Sequence, residues 1–108
     1  YTPAVRAGDW LVVSGQLGLL DGELVDGLEH QAIQALANLE AQLAAHGATL
    51  AQVTKTTVFL ADLDEFGAFN AIYAAAFADP RPARSAFQVA RLPFDARVEI
   101  EAWAWLGD

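Results

Sequence analysis

Arg84-Ser85-Ala86-Phe87-Gln88-Val89-Ala90, a turn at Leu92-Pro93-Phe94-Asp95, and then Arg97-Val98-Glu99-Ile100-Glu101-Ala102-Trp103-Ala104-Trp105 close the chain. Both segments alternate as strands do, and the short turn between them predicts a hairpin. In the final strand Val98, Ile100, Ala102 and Ala104 share one face, and Glu99, Glu101, Trp103 and Trp105 share the other. A slip of one residue exchanges the faces, so the apolar pattern chooses the register. It predicts Phe87 and Val89 beside Val98 and Ile100, facing the helices. Arg84 then shares the opposite face with Glu99, Glu101 and the two tryptophans. A tight hairpin sets Arg84 beside Trp103–Trp105, with Glu99 four residues further along the strand, roughly 13 Å away. If Arg84 and Glu99 act together, they most simply come from neighbouring subunits. Two tryptophans at alternate positions also predict a covered interface.

Upstream, Trp10 to Gly15 reads as a strand, and Gln16 to Leu20 as its continuation or a second strand. Leu20-Asp21-Gly22-Glu23 carries the Asp-Gly hairpin signal. A helix is predicted from Leu28 to His46, with Asp26 or Gly27 at its cap, a Leu36-Leu39-Leu43 stripe and Gly47 just past its end. Val53 to Leu60 is β-branched and aromatic, hence a strand. Asp62 or Asp64 then caps a second helix to Ala78, striped by Phe66, Phe69, Tyr73 and Phe77. Asp79-Pro80-Arg81-Pro82 stops it. The order ββ-α-β-α-ββ predicts an α+β domain over 1–108, a mixed sheet with two helices packed on one face.

The chain carries 14 acidic residues against six basic ones, a net charge of −8. A nucleic-acid binder needs a basic footprint, and an anionic membrane repels this surface, so neither partner is expected. There is no cysteine, which removes disulfides, thiolate nucleophiles and cysteine metal ligands. No apolar run reaches a transmembrane length and no targeting segment is read, so a cytoplasmic protein is expected. A hydrophobic fraction of 55% is high for so short a chain, which fits oligomerisation.

Four of the six basic residues lie between Arg81 and Arg97. Arg84 follows a proline at the start of a strand, where its guanidinium offers a fork to a carboxylate or phosphate. From type and position alone it is either such a ligand's partner or the structural partner of Glu101. Glu101 itself is read as structural, paired with Arg84 or Arg97. Ser14 has no histidine to activate it. His30 and His46 are not at ligand spacing, so no metal site is expected. Tyr73 reads as core with the phenylalanines around it. Asn70 falls off that stripe, where it reaches a cleft edge. Gly15-Gln16-Leu17-Gly18 is a turn, not a phosphate loop.

In order along the chain, Tyr1-Thr2-Pro3-Ala4-Val5, Val13-Ser14-Gly15-Gln16, Val53 to Leu60, Asp64-Glu65-Phe66, Asn70-Ala71-Ile72-Tyr73, Pro82-Ala83-Arg84-Ser85, Leu92-Pro93 and Val98-Glu99-Ile100-Glu101-Ala102 resemble the RidA (YjgF/UK114) family of enamine/imine deaminases. The resemblance implies a chorismate-mutase-like fold and a homotrimer with three clefts between subunits. It implies hydrolysis of a small 2-imino acid to a 2-oxo acid and ammonia without a cofactor. It maps the carboxylate-holding arginine onto Arg84 and the water-positioning glutamate onto Glu99. Tyr1, Ser14, Gly15 (through its carbonyl), Asn70 and Ala86 fall on pocket positions. The sequence departs from the pattern in three places. A cysteine common two residues past the arginine is Ala86, a proline after Ser-Gly-Gln-x is Gly18, and the family's first strand, which precedes Tyr1, is not in this sequence. A non-catalytic trimer binding small carboxylates is the alternative, since the same arginine serves any carboxylate. Ribonuclease activity, attached to some members, fits least with the acidic charge and the lack of a histidine pair.

Overall fold

Val53–Leu60 forms the predicted strand, and it anchors the sheet. A computed structural model describes residues 1–108. Its strands are β1 (Ala4–Ala7), β2 (Trp10–Leu17), β3 (Leu19–Leu20), β4 (Glu23–Leu24), β5 (Val53–Leu60), β6 (Ala83–Gln88) and β7 (Val98–Trp105), and its helices α1 (Leu28–Ala44) and α2 (Phe66–Ala76). Five strands pair in the order β1-β2-β7-β5-β6, while β3 and β4 make a separate small hairpin. All pairs in the main sheet are antiparallel except β5 with β6, which is parallel. The mixed α+β sheet is therefore as expected.

The closing hairpin is not formed. β6 pairs with β5, and β7 lies on the other side of β5. The ends of the connection explain this. Val89 donates its N–H to Leu60 O at 2.9 Å, and Ala61 donates to Arg97 O at 3.0 Å. Both segments are thus tied to the end of β5 rather than to each other. The Leu92-Pro93-Phe94-Asp95 turn carries the chain across that end, with Phe94 and Asp95 at φ 61° and 56°.

The faces of β6 follow the parallel register, which sets Arg84 opposite Thr56, Ala86 opposite Val58 and Gln88 opposite Leu60. Thr56, Val58 and Leu60 point into the core. Arg84 and Ala86 are therefore on the helix side, and Phe87 is on the open side against the Phe59 ring, 5.2 Å between centroids. This reverses the expected placement. The faces of β7 are as expected, with Val98, Ile100, Ala102 and Ala104 buried and Trp103 and Trp105 exposed.

Both helices cover one face. Leu36, Leu39 and Leu43 of α1 and Phe69 and Tyr73 of α2 bury against Leu11, Val13, Val58, Leu60, Val98 and Ile100. Ala32 and Ala35 on α1 and Ala102 and Ala104 on β7 let helix and sheet approach closely. Each fully buried leucine contributes about 1.5–3 kcal/mol of transfer free energy. Local chemistry sets the ends. Gly47 at φ 74° closes α1, with Ala48 N–H donating to Leu43 O at 2.9 Å and Gly47 N–H to Ala44 O at 3.0 Å. That is the Schellman arrangement, which a side chain at Gly47 would strain. Asp62 accepts from Asp64 N–H at 2.9 Å, but it caps the short 3-10 turn Leu63–Glu65 and not α2 as expected, since the residue before α2, Glu65, makes no side-chain cap bond. Asp21 and Gly22, at φ 53° and 81°, make the β3–β4 turn. β1 is not foreshadowed in the sequence, because four residues with one buried side chain carry no alternating signal. No helix is long and apolar enough to cross a membrane.

Candidate functional site

Phe66, Asn70 and Tyr73 are spaced to share one face of α2. That face lies against β6 and surrounds Arg84. Arg84 donates from Nη1 to Asn70 Oδ1 at 2.7 Å. Its guanidinium carbon lies 4.7 Å from the Tyr73 ring centroid and 5.1 Å from that of Phe66. Such contacts hold a cation by the negative ring faces without neutralising it. The other arginines are all ion-paired: Arg6 with Asp9, Arg81 with Asp79, Arg91 with Asp95 and Arg97 with Glu65. Arg84 alone has no carboxylate. It borders a cavity of about 390 Å³ shared with Asn70, Tyr73, Arg81 and Pro82. On its other side lies a more apolar depression formed with Leu63, Phe66 and Ala86.

Glu99 occupies a different place. It projects from the open face of β7, opposite Phe59 on one side and Leu17 on the other. The β2–β7 register shifts between Val13 and Gln16, and this bulge brings Gly15 against the glutamate. A Cβ on Gly15 would stand 2.6 Å from Glu99 Cδ, so any larger residue there would make the carboxylate swing out of its present place. Burial pushes the Glu99 carboxyl above its ordinary pKa, and the nearby Glu101 charge adds to the rise. Ser14 anchors the preceding segment, donating to Pro3 O from its backbone N–H at 2.9 Å and from Oγ at 3.0 Å. Tyr1 is exposed and borders, with Gly15, Gln16, Leu17 and Asn38, a cavity of about 300 Å³.

The candidate residues thus fall into two groups, Arg84-Asn70-Ala86 and Tyr1-Ser14-Gly15-Glu99. The expectation that Arg84 and Glu99 share a face is overturned. Thr56 opposes Arg84 and Phe59 opposes Glu99, so the pair is two strands and three residues apart, roughly 14 Å between Cα atoms, and on opposite faces. Nor does Glu101 pair with either arginine. Arg97 Nε donates to Glu65 Oε1 at 2.8 Å and Arg84 binds Asn70. His30 and His46 turn back to carbonyls of their own segment, Asp26 and Gln42.

Tyr73 lies in the core as its sequence position predicts, 3% exposed. The sequence reading misses that the same ring floors Arg84 and that Tyr73 OH lies 2.7 Å from Thr56 Oγ1. Burial raises the Tyr73 pKa, with the Thr56 hydrogen bond and the Arg84 charge acting against it. Two signals point to the contact: a threonine at a core-facing position of β5, and a tyrosine among phenylalanines.

The model of the family described as Endoribonuclease L-PSP matches residues 1–106. The mouse 2-iminobutanoate/2-iminopropanoate deaminase is 47% identical over 110 residues, covering 99% of this chain and 82% of that protein. A RutC family protein of Pyrococcus horikoshii is 42% identical, covering 97% and 86%. Among solved structures, RidA from the Antarctic bacterium Psychrobacter superposes with a TM-score of 0.93 at 41% identity, covering 97% and 87%. Escherichia coli TdcF with bound serine superposes with a TM-score of 0.94 at 36% identity, covering 99% and 88%.

Proposed function

The chain belongs to the RidA/YjgF/UK114 family, and from that membership we propose that it hydrolyses small 2-imino acids, and the enamines that tautomerise to them, to 2-oxo acids and ammonia. The observation that carries this reading is Arg84, a half-buried guanidinium fixed by an amide and two rings and left without a counter-ion. A relative named for 2-iminobutanoate and 2-iminopropanoate and another holding serine both point to a ligand with one carboxylate and a nitrogen on the adjacent carbon.

Arg84 clamps the substrate carboxylate, a charge-assisted contact worth roughly 1.5–3 kcal/mol. Asn70 fixes one guanidinium nitrogen. Glu99 orients a water and takes its proton as the oxygen attacks the imine carbon. Its raised pKa suits it to accept that proton and to return one to nitrogen. The C–O bond forms as the C=N π pair moves to nitrogen. The carbinolamine then collapses, the C–N bond breaks, and ammonia leaves with the 2-oxo acid. Water is the only co-reactant consumed.

Arg84 and Glu99 stand on opposite faces of one sheet, which supports a site shared between copies; in this reading Arg84 comes from one subunit of a homotrimer and Glu99 from the next. Tyr1, Ser14, Gly15 and Ala86 line it. The test couples the protein to a threonine dehydratase and follows 2-oxobutanoate. Faster release of the oxo acid, lost in Arg84→Ala, is expected. No acceleration by the intact protein, or equal acceleration by Arg84→Ala, sinks the reading.

A further inference from the structure

We propose that Tyr73, held through its hydroxyl by Thr56, is a positioning residue that orients the Arg84 guanidinium for a carboxylate while leaving its charge uncompensated. This rests on the reading of Arg84 as the group that holds the substrate carboxylate.

A cation that must receive a ligand faces two demands. Its long side chain has to be fixed, since a free arginine loses rotamer entropy on binding. Its charge also has to stay available. A protein carboxylate meets the first demand and defeats the second, as Asp79, Asp95 and Glu65 do for Arg81, Arg91 and Arg97. Around Arg84 the fixing groups carry no formal charge: Asn70 Oδ1 and the rings of Tyr73 and Phe66. Of the two rings Tyr73 is the nearer.

The hydroxyl of Tyr73 has a separate purpose. It lies on the core-facing side of the sheet, where an apolar residue would bury at less cost. Its partner Thr56 is fully buried, between core-facing Val58 and the apolar end of β7. The two form one hydrogen bond of 2.7 Å, and no buried side-chain polar atom is left unsatisfied. Thr56 is also the residue paired with Arg84 across β5 and β6. The bond therefore fixes the tilt of the ring relative to the strand that carries Arg84. A phenylalanine and a valine in place of Tyr73 and Thr56 would fill nearly the same volume without setting that tilt.

The test uses three variants beside Arg84→Ala. Thr56→Val is isosteric and cuts the tie without touching the ring. Tyr73→Phe cuts it from the other side. Tyr73→Leu removes the ring face. Each is assayed for kcat and KM with imine generated from threonine, and for binding of 2-oxobutanoate by titration calorimetry. Thr56→Val and Tyr73→Phe are expected to weaken binding and raise KM about threefold with kcat little changed. Tyr73→Leu is expected to do so about tenfold. If Arg84→Ala binds 2-oxobutanoate as the parent does, the Arg84 reading itself is wrong. If Arg84→Ala loses binding while Thr56→Val and Tyr73→Phe keep the parental Kd and KM, the Arg84 reading stands and the positioning role is overturned. Thr56→Val decides the matter even if Tyr73→Leu fails to fold.

Discussion

Arg84 and Glu99 stand on opposite faces of one sheet, separated by the strand that carries Thr56 and Phe59. Neither side chain can reach the other's face without leaving the sheet. Joint action requires two copies of the chain, which makes a complementation experiment decisive. Arg84→Ala and Glu99→Gln should each be inactive alone. Unfolded and refolded together in equal amounts, they should recover about a quarter of the wild-type rate, because one interface in four then joins an intact arginine to an intact glutamate. A mixture as inactive as its components would show that the two halves do not meet across an interface.

Gly15 makes room for Glu99 and is not required by its own backbone, since its φ is not in the left-handed region. Gly15→Ala should therefore push the movable end of the glutamate aside and abolish turnover, while costing at most about 1 kcal/mol of stability, because a flexible side chain can yield. In Glu99→Ala the carboxylate is gone and the same substitution should cost far less. A double-mutant cycle by urea denaturation measures the difference. Additive costs would mean that the clash is not with Glu99.

Much of the fold was legible because it rests on local chemistry. Val53–Leu60, Gly47 behind α1 and the Asp21-Gly22 turn each announce themselves within a few residues. The partner of β6 was not legible, because a short turn before another strand ordinarily means a hairpin. The parity of β6 misled for a related reason. Phe87 looks like a core residue and Arg84 a surface one, yet α2 supplies Arg84 with an amide and two rings, and Phe87 has Phe59 on the open face. A parity argument assumes that one face is dry and the other wet. Here both faces carry apolar surface, so the pattern could not choose. The candidate site residues rest on the resemblance alone, and their division between two faces is a property of strand pairing that no local stretch of sequence carries.

The raised pKa of Glu99 has a cost in stability whose sign is fixed by linkage. The folded protein holds the proton more tightly than the unfolded chain. Between the unfolded glutamate value, about 4.3, and its raised value in the folded protein, the native state binds more protons, so this group's contribution falls as pH rises through that window. Glu99→Gln should remove that loss. Its melting temperature should match the parent at low pH and exceed it at neutral pH, with catalysis abolished. A variant that melts below the parent at neutral pH would mean that ionised Glu99 is stabilised by contacts and not penalised by burial.

The open face of the sheet makes the oligomer testable without reference to activity. Trp10 packs edge-on against Trp105 and Trp103, with centroids 4.9 and 6.0 Å away. Trp103 and Trp105 nevertheless remain 42% and 40% exposed, and Phe87 and Val5 on the same face are 45% and 52% exposed. A run of aromatic and aliphatic surface this wide is costly to leave in water. Lys55, opposite Trp103 and donating to Ser85 Oγ at 2.8 Å, borders it on the β5 side, and the glutamates interrupt it toward the end of β7 that holds Glu99. Covering it in a homotrimer would bury the tryptophans and bring Glu99 to an interface in one step. Trp103→Lys places a charge in the middle of that surface and leaves Arg84 and Glu99 in place. Sedimentation at micromolar concentration should show the parent as a trimer and Trp103→Lys as a monomer with native circular dichroism. The monomer should have lost imine hydrolysis although both key residues are intact. A monomeric variant that retains full turnover would show that one chain suffices.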